Sequence, residues 1–357
     1  MQALLSLLYA VSTASVAAGG FVQDHRQVGV ADGIISFVAA ESPGGVVQGN
    51  VTVIAGSDAT LVVDSGQYPT LARRMIAAIE AAGLPPVRWL VNTHWHGDHL
   101  LANPVFIAAW PELTVVQHAE TARLGAIYYA DWKETAASKN AEALAGLEKA
   151  LAEGVSSKGK ALTDSDREGM QTTISMARAW LAQAGDTDWR APTLTFEDAL
   201  SIDLGGRNVV VRHAGLANTT GDVVVWDAAT RTLVTGDIVV HPTPYSFGSF
   251  HSEWIDTLEV LRALEPARIV PGHGEVMRDD AYLRRLAALL AETRTQVRAA
   301  IADGLTLEQV REQVTLAEFE REFAGDDPAR VRAFRAFYLQ PGIEQAWKEA
   351  NGEPRSK

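Results

Sequence analysis

The chain has 357 residues, a net charge of −13 at pH 7, 47% apolar and 21% charged residues, and no cysteine. That length suits one large domain or two ordinary ones, with enough apolar residues for a substantial core. The acidic balance argues against a general nucleic-acid binder, which needs clustered Lys and Arg, and the missing cysteines exclude disulfides, thiolate nucleophiles and Cys-ligated metals.

In chain order, an apolar run from Ala3 to Ala18 ends in small residues (Ser15, Ala17, Ala18) and resembles a secretory signal over residues 1–20, though no Lys or Arg precedes it. It is too short for a membrane span, so a periplasmic or secreted location is expected, with no stable membrane insertion. Strands are expected at 33–38, 50–54 and 59–63, the last two joined by the turn Gly56-Ser57-Asp58. A helix follows with Pro69 in its first turn, Leu71, Met75 and Ile79 on one face, and Gly83 as its stop. Pro85-Pro86 leads into the strand 87–91, and that strand delivers His94-Trp95-His96-Gly97-Asp98-His99.

From 119 to about 190 the rhythm changes. Leu144, Leu147 and Leu151, then Met170, Ile174, Ala177 and Leu181, recur at helical spacing around a polar stretch, which predicts a helical hairpin inserted into the domain. Strands return at 194–196, 200–202, 208–212, 223–226 and 232–234, followed by helices at 254–264 and 279–302. Thr306 and Gln309 form a capping box that carries the helical pattern into a C-terminal extension, residues 301–357. Two β-rich halves flanked by helices predict one α/β domain over 25–300, a four-layer αβ/βα sandwich with a helical insertion and a helical tail.

Three imidazoles and a carboxylate within six residues, presented by a loop at a strand end, can point into one pocket, and that donor set suits zinc and its first-row neighbours. Thr235-Gly236-Asp237 and Pro271-Gly272-His273-Gly274 follow later apolar runs. Together with His94-x-His96-x-Asp98-His99, these segments resemble the successive metal motifs of the metallo-β-lactamase superfamily. Asp64, in Val62-Val63-Asp64-Ser65-Gly66, resembles that family's acidic residue at the end of an early strand, and is taken as supporting the ligands.

The resemblance implies one or two Zn2+ ions. His94 and His96 serve one, Asp98, His99 and His273 the other, and Asp237 bridges them. It also implies hydrolysis by a metal-bound hydroxide, with Asp98 orienting it or passing on its proton. One position departs from the pattern: Asn218 stands where the third His of the first metal belongs. An amide oxygen is a poorer zinc ligand than imidazole, so the His94/His96 site is expected to be the weaker one, with Asn218, His213 or His241 completing it. His25, His118 and His251 receive no metal role.

The expected activity is cleavage of an ester, lactone, thioester or β-lactam-type acyl bond in a small-molecule substrate. Phosphodiester or sulfate-ester hydrolysis and metal binding without turnover are the alternatives. A mononuclear iron oxygenase acting on a persulfide needs the imidazole that Asn218 replaces. The insertion and the segment Glu41-Ser42-Pro43-Gly44-Gly45 are the expected pocket walls. Tyr128, Tyr129 and Trp132 either touch substrate or pack beneath the hairpin.

Overall fold

A computed structural model describes residues 24–40, 48–156 and 159–354. The secretory-signal segment and the Glu41–Gly45 wall lie outside the described residues.

Seven strands pair in chain order into one sheet: β1 (His25–Ala31), β2 (Ile34–Ala39), β3 (Val51–Ala55), β4 (Thr60–Val63), β5 (Val87–Val91), β6 (Thr114–His118) and β7 (Leu194–Phe196). The first four are antiparallel neighbours, and β4 to β7 run parallel. The second sheet has the order β12-β11-β10-β9-β8, from β8 (Ala199–Asp203), β9 (Asn208–His213), β10 (Val223–Asp227), β11 (Thr232–Val234) and β12 (Arg268–Val270). Only its β11/β12 pair is parallel.

Side-chain alternation divides the core. Along β3 and β4, Val51, Val53 and Val62 face outward onto helices α1 (Pro69–Ala81) and α3 (Asn103–Ala109), the latter preceded by the single turn α2 (Gly97–Leu100). Ile54, Leu61 and Val63 face inward, against Val209, Val211, Val223 and Val225 of the second sheet. Strands buried on both faces explain the unbroken apolar runs of the sequence.

The insertion comprises α4 (Ala119–Tyr128), α5 (Trp132–Glu153) and α6 (Asp164–Leu181). The outer face of the second sheet is covered by α7 (His251–Arg262) and α8 (Ala281–Ala302). Against these pack α9 (Leu307–Gln313), α10 (Ala317–Ala324), α11 (Pro328–Ala333), a π-helical turn (Phe334–Leu339) and α12 (Gln340–Ala350). The result is the expected sandwich of two sheets between helical layers with C-terminal helices. Among the described residues, no helix is long and apolar enough to cross a membrane.

Three elements that differ from the sequence reading are β6, α2 and α3. β6 has no counterpart there, because Val115 and Val116 sit between Thr114 and Gln117 and give neither alternation nor a long apolar run. The loop after His96 folds into α2 and α3, whose turns are too short for helical periodicity to show.

Candidate metal centre

β4, β5, β9, β11 and β12 all end at one edge of the sandwich, and each is followed by a polar residue of the site: Asp64, His94, Asn218, Asp237 and His273. Carboxyl ends of parallel strands are where ligands of open α/β sheets gather. The edge is tightly built. A Cβ added at Gly272 would lie 2.0 Å from Asp237 Oδ1, so only glycine lets this chain pass beneath the carboxylate.

Two donor groups result. In the first, His94 Nε2 lies 3.0 Å from His96 Nδ1 and 3.6 Å from Asp237 Oδ2. In the second, His99 Nε2 and His273 Nε2 face each other at 3.3 Å. Asp98 Oδ2 stands 3.0 Å from His273 Nε2 and 3.5 Å from His99 Nε2. Asp237 Oδ1 is 3.2 Å from His99 Nε2 and 3.3 Å from His273 Nε2. One carboxylate therefore turns one oxygen to each group.

These separations fit a cation. Ligands about 2.0–2.1 Å from a tetrahedral zinc stand about 3.3–3.4 Å apart, and the second group's five distances scatter closely around that value. Asp237 Oδ1 is buried 3.2 and 3.3 Å from two imidazole nitrogens without a well-aligned hydrogen bond to either, an arrangement that suits a metal ligand. Asn218 behaves similarly. Its Oδ1 is buried without a hydrogen bond, while Nδ2 lies 3.3 Å from His96 Nδ1. A half-turn of the amide exchanges the two atoms and puts a neutral oxygen beside His96.

The electrostatics separate the two groups. Burial depresses the His96 imidazole to about 3, reinforced by His94 and only partly opposed by Asp237. Burial acts the same way on His99 and His273, but there the carboxylates win. Asp237, Asp98 and Asp64 raise His99 well above its usual value, and Asp237 with Asp98 pushes His273 up to about 9. Asp98 and Asp237 are held below the usual carboxylate range: burial alone would raise them, and the neighbouring imidazoles outweigh it. A field that holds protons on two imidazoles also attracts a metal cation.

A supporting shell fixes the rings. Asp64 Oδ2 accepts from Thr93 Oγ1 and from His99 Nδ1, each at 2.8 Å, and Asp64 Oδ1 accepts from the Thr93 N–H at 2.8 Å. Because the Thr93 hydroxyl donates to Asp64, its oxygen is left to accept from His94 Nδ1 at 3.0 Å. One carboxylate thus sets both tautomers, leaving the Nε2 lone pairs of His94 and His99 turned toward the centre. Asp64 holds a left-handed backbone (φ 63) to do so. Asn92 Nδ2 donates to the His99 carbonyl and to Asn103 Oδ1, bracing the loop from below. Thr93, Asn92 and Asn103 were missing from the sequence reading. Thr93 directly precedes the His loop, which was the available signal.

The remaining histidines stand apart. His241 belongs to neither group: its backbone N–H donates to the His273 carbonyl at 3.1 Å, and its ring meets Tyr282 edge-on at 5.1 Å. His213 Nδ1 faces the Asp222 carbonyl at 2.8 Å and its ring stacks on His118. Of the insertion's aromatics, Tyr128 stacks on Trp95 of the His loop (4.2 Å, 6°), and the Tyr129 hydroxyl donates to the Trp95 carbonyl. Trp132 instead packs on Trp180 and donates from Nε1 to Thr187. Trp132 is therefore a packing residue beneath the hairpin.

Residues 44–273 match the family model described as Metallo-beta-lactamase superfamily. A linear primary-alkylsulfatase from Pseudomonas sp. is 24% identical over 306 residues, covering 80% of this chain and 55% of that protein. A stereoselective inverting sec-alkylsulfatase from Pseudomonas sp. superposes with a TM-score of 0.64 at 12% identity, covering 91% of this chain and 50% of the other. A metallo-beta-lactamase from Pontibacter korlensis superposes with a TM-score of 0.52 at 17% identity, covering 75% of this chain and 99% of its own. The chain spans about half the length of the alkylsulfatases it matches.

Proposed function

The chain belongs to the metallo-β-lactamase superfamily, and on that premise we propose that it is a metal-dependent hydrolase of esters, with sulfate esters the first class to consider. The observation that carries the metal dependence is the pair of donor groups sharing Asp237, with separations that suit a tetrahedral ion. The His and Asp donors suit zinc. Bound there, divalent ions would polarise the ester and lower the pKa of a bound water from ~15.7 to near ~7.

The chain's own residues do the rest. His99, His273, Asp98 and Asp237 would hold one ion, and His94, His96, Asn218 and Asp237 the other. Asp64 and Thr93 keep both loop imidazoles in the tautomer that offers Nε2. Asp98 is the most exposed of the three carboxylates, 11% against 3% for Asp64 and Asp237, so as a ligand at the open side it would accept a hydrogen bond from an attacking water and orient it.

Sulfate esters come first because the alkylsulfatase likeness extends over 91% of the chain and the lactamase likeness over 75%. Acyl hydrolysis is the second reading. The metallo-beta-lactamase likeness, over 75% of this chain and 99% of the other, supports it. Metal-loaded protein assayed against matched alkyl sulfates, carboxylic esters, lactones, β-lactams and phosphodiesters decides between them. The proposal expects metal-dependent release of inorganic sulfate. Turnover of the carboxylic esters alone supports the second reading, and no turnover of any class refutes both.

A further inference from the structure

Between Asp237 and α7 the chain runs through His241-Pro242-Thr243-Pro244-Tyr245-Ser246-Phe247, a loop pinned from outside the sandwich. Its Ser246 N–H donates to the carbonyl of Phe337 at 2.9 Å, and its Phe247 carbonyl accepts from Gln345 Nε2 at 2.8 Å. Ser246 Oγ lies 3.0 Å from His251 Nε2, and Glu349 accepts from the His251 N–H at 3.1 Å. Phe337 sits in the π-helical turn and Gln345 and Glu349 in α12, so the C-terminal extension fixes the conformation of a loop that borders the donor cluster. Single π-helical turns recur at functional sites.

The loop's rings form a continuous path away from the cluster. Tyr245 meets the His273 ring edge-on at 5.7 Å. It meets Phe337 at 5.3 Å and Phe247 at 6.2 Å, and Phe247 meets Phe337 at 6.0 Å. Exposure rises along this path: His273 is 8% exposed, Tyr245 and Phe337 are partly buried, and Phe247 is 50% exposed. An exposed Phe that caps a file of rings leading to candidate metal ligands has no packing role at its outer end. At the other end of the cluster, Trp95 adjoins His96 and carries the stacked, exposed Tyr128.

We infer that Tyr245, Phe247 and Phe337 form a shelf that binds the apolar organic portion of the substrate, an alkyl or aryl group of several carbons, while its polar head lies at the Asp98/His99/His273 group. The C-terminal extension is thereby a specificity element, since Phe337 is its contribution to the shelf. The inference deepens the ester-hydrolase reading and rests on it for the identity of the head group. The occupant follows from continuity: the ring path begins at His273 and ends in solvent, the route an extended amphiphile takes from the cluster outward.

The test is binding, so it does not depend on turnover. Straight-chain alkyl carboxylates of two to ten carbons are titrated calorimetrically into metal-loaded full-length wild type, Phe247→Ala, Phe337→Ala and the surface control Val260→Ala. Each methylene laid on the shelf should tighten wild-type binding by about two- to fourfold, the upper value being that of a fully buried CH2. Phe247→Ala and Phe337→Ala should flatten that dependence, with a loss that grows with chain length. Val260→Ala should keep it. Affinity independent of length in the wild type, or a wild-type slope retained in both Phe variants, overturns the shelf. If the slope behaves as stated and no ester is cleaved, the ester-hydrolase reading fails and the apolar subsite stands.

Discussion

Replacing Asp64 by Asn leaves the backbone almost untouched, because Asn tolerates the left-handed conformation (φ 63) this position holds. Its effect is on proton positions. Asp64 Oδ2 accepts two hydrogens, from Thr93 Oγ1 and His99 Nδ1, and Oδ1 accepts the Thr93 N–H. An amide offers one oxygen for these two faces, so one face must present N–H to an existing donor. With the NH2 toward His99, the imidazole has to shed its Nδ1 proton and carry it on Nε2, the atom that faces Asp237 and His273. With the NH2 toward the Thr93 N–H, the Thr93 peptide and the hydroxyl that accepts from His94 Nδ1 lose their anchor.

Either outcome weakens metal binding while every direct donor remains in place. Removing such a supporting partner typically costs about 10–100-fold in metal affinity, or about 1.4–2.8 kcal/mol. Competition with a chromophoric chelator at equilibrium reads this directly. An Asp64→Asn protein whose affinity stays within about threefold of wild type would show that the tautomer argument is wrong, and that His99 and His94 are oriented by packing alone.

Three further outcomes follow from the same geometry. Asn218→His supplies an imidazole beside His96 and should strengthen the weaker site by at least about tenfold, seen as slower chelator release of the first ion lost; unchanged release would mean that Asn218 lies outside the ligand shell. Because Asp237 and Asp98 raise both His99 and His273, the latter to about 9, metal binding at pH 7 should release protons, measurable as a buffer-dependent calorimetric enthalpy. Zero release contradicts the raised imidazoles. Burial holds His251 at about 4, below its ordinary 6.5, so the unfolded chain binds the extra proton in between and stability falls as pH drops through that window, by up to about 3 kcal/mol. His251→Gln should flatten the acid limb of a pH series of denaturant unfolding curves, and an unaltered limb would assign it to other groups.

Much of this was legible in the residues. The His94–His99 loop, Asp237 and His273 each follow an apolar strand, one in the first sheet and two in the second, and it was their match to the family's successive metal motifs that assigned them to one edge. Asp64 was readable as support through the resemblance, because it stands where the family keeps an acidic residue at the end of an early strand. The limits were physical. Thr93, Asn92 and Asn103 work through hydrogen bonds across turns of irregular backbone, and no periodicity marks such contacts. β6 is hidden because its two valines are too few to alternate. Trp132 and Tyr128 lie four residues apart, yet one packs under the hairpin and the other stacks on Trp95, a difference decided by where α4 ends. Phe337 lies 64 residues beyond His273, and only the π-helical turn of the C-terminal segment brings its ring to Tyr245 beside that histidine.

The most direct test of a two-site metal-dependent ester hydrolase is a titration of zinc into chelator-stripped protein, with bound metal and ester cleavage followed in the same samples. The expected result is two equivalents bound in distinguishable steps, the tighter one lost in His273→Ala, with hydrolysis appearing as the sites fill. Hydrolysis that persists in the stripped protein, or tight binding that survives His273→Ala, would contradict it.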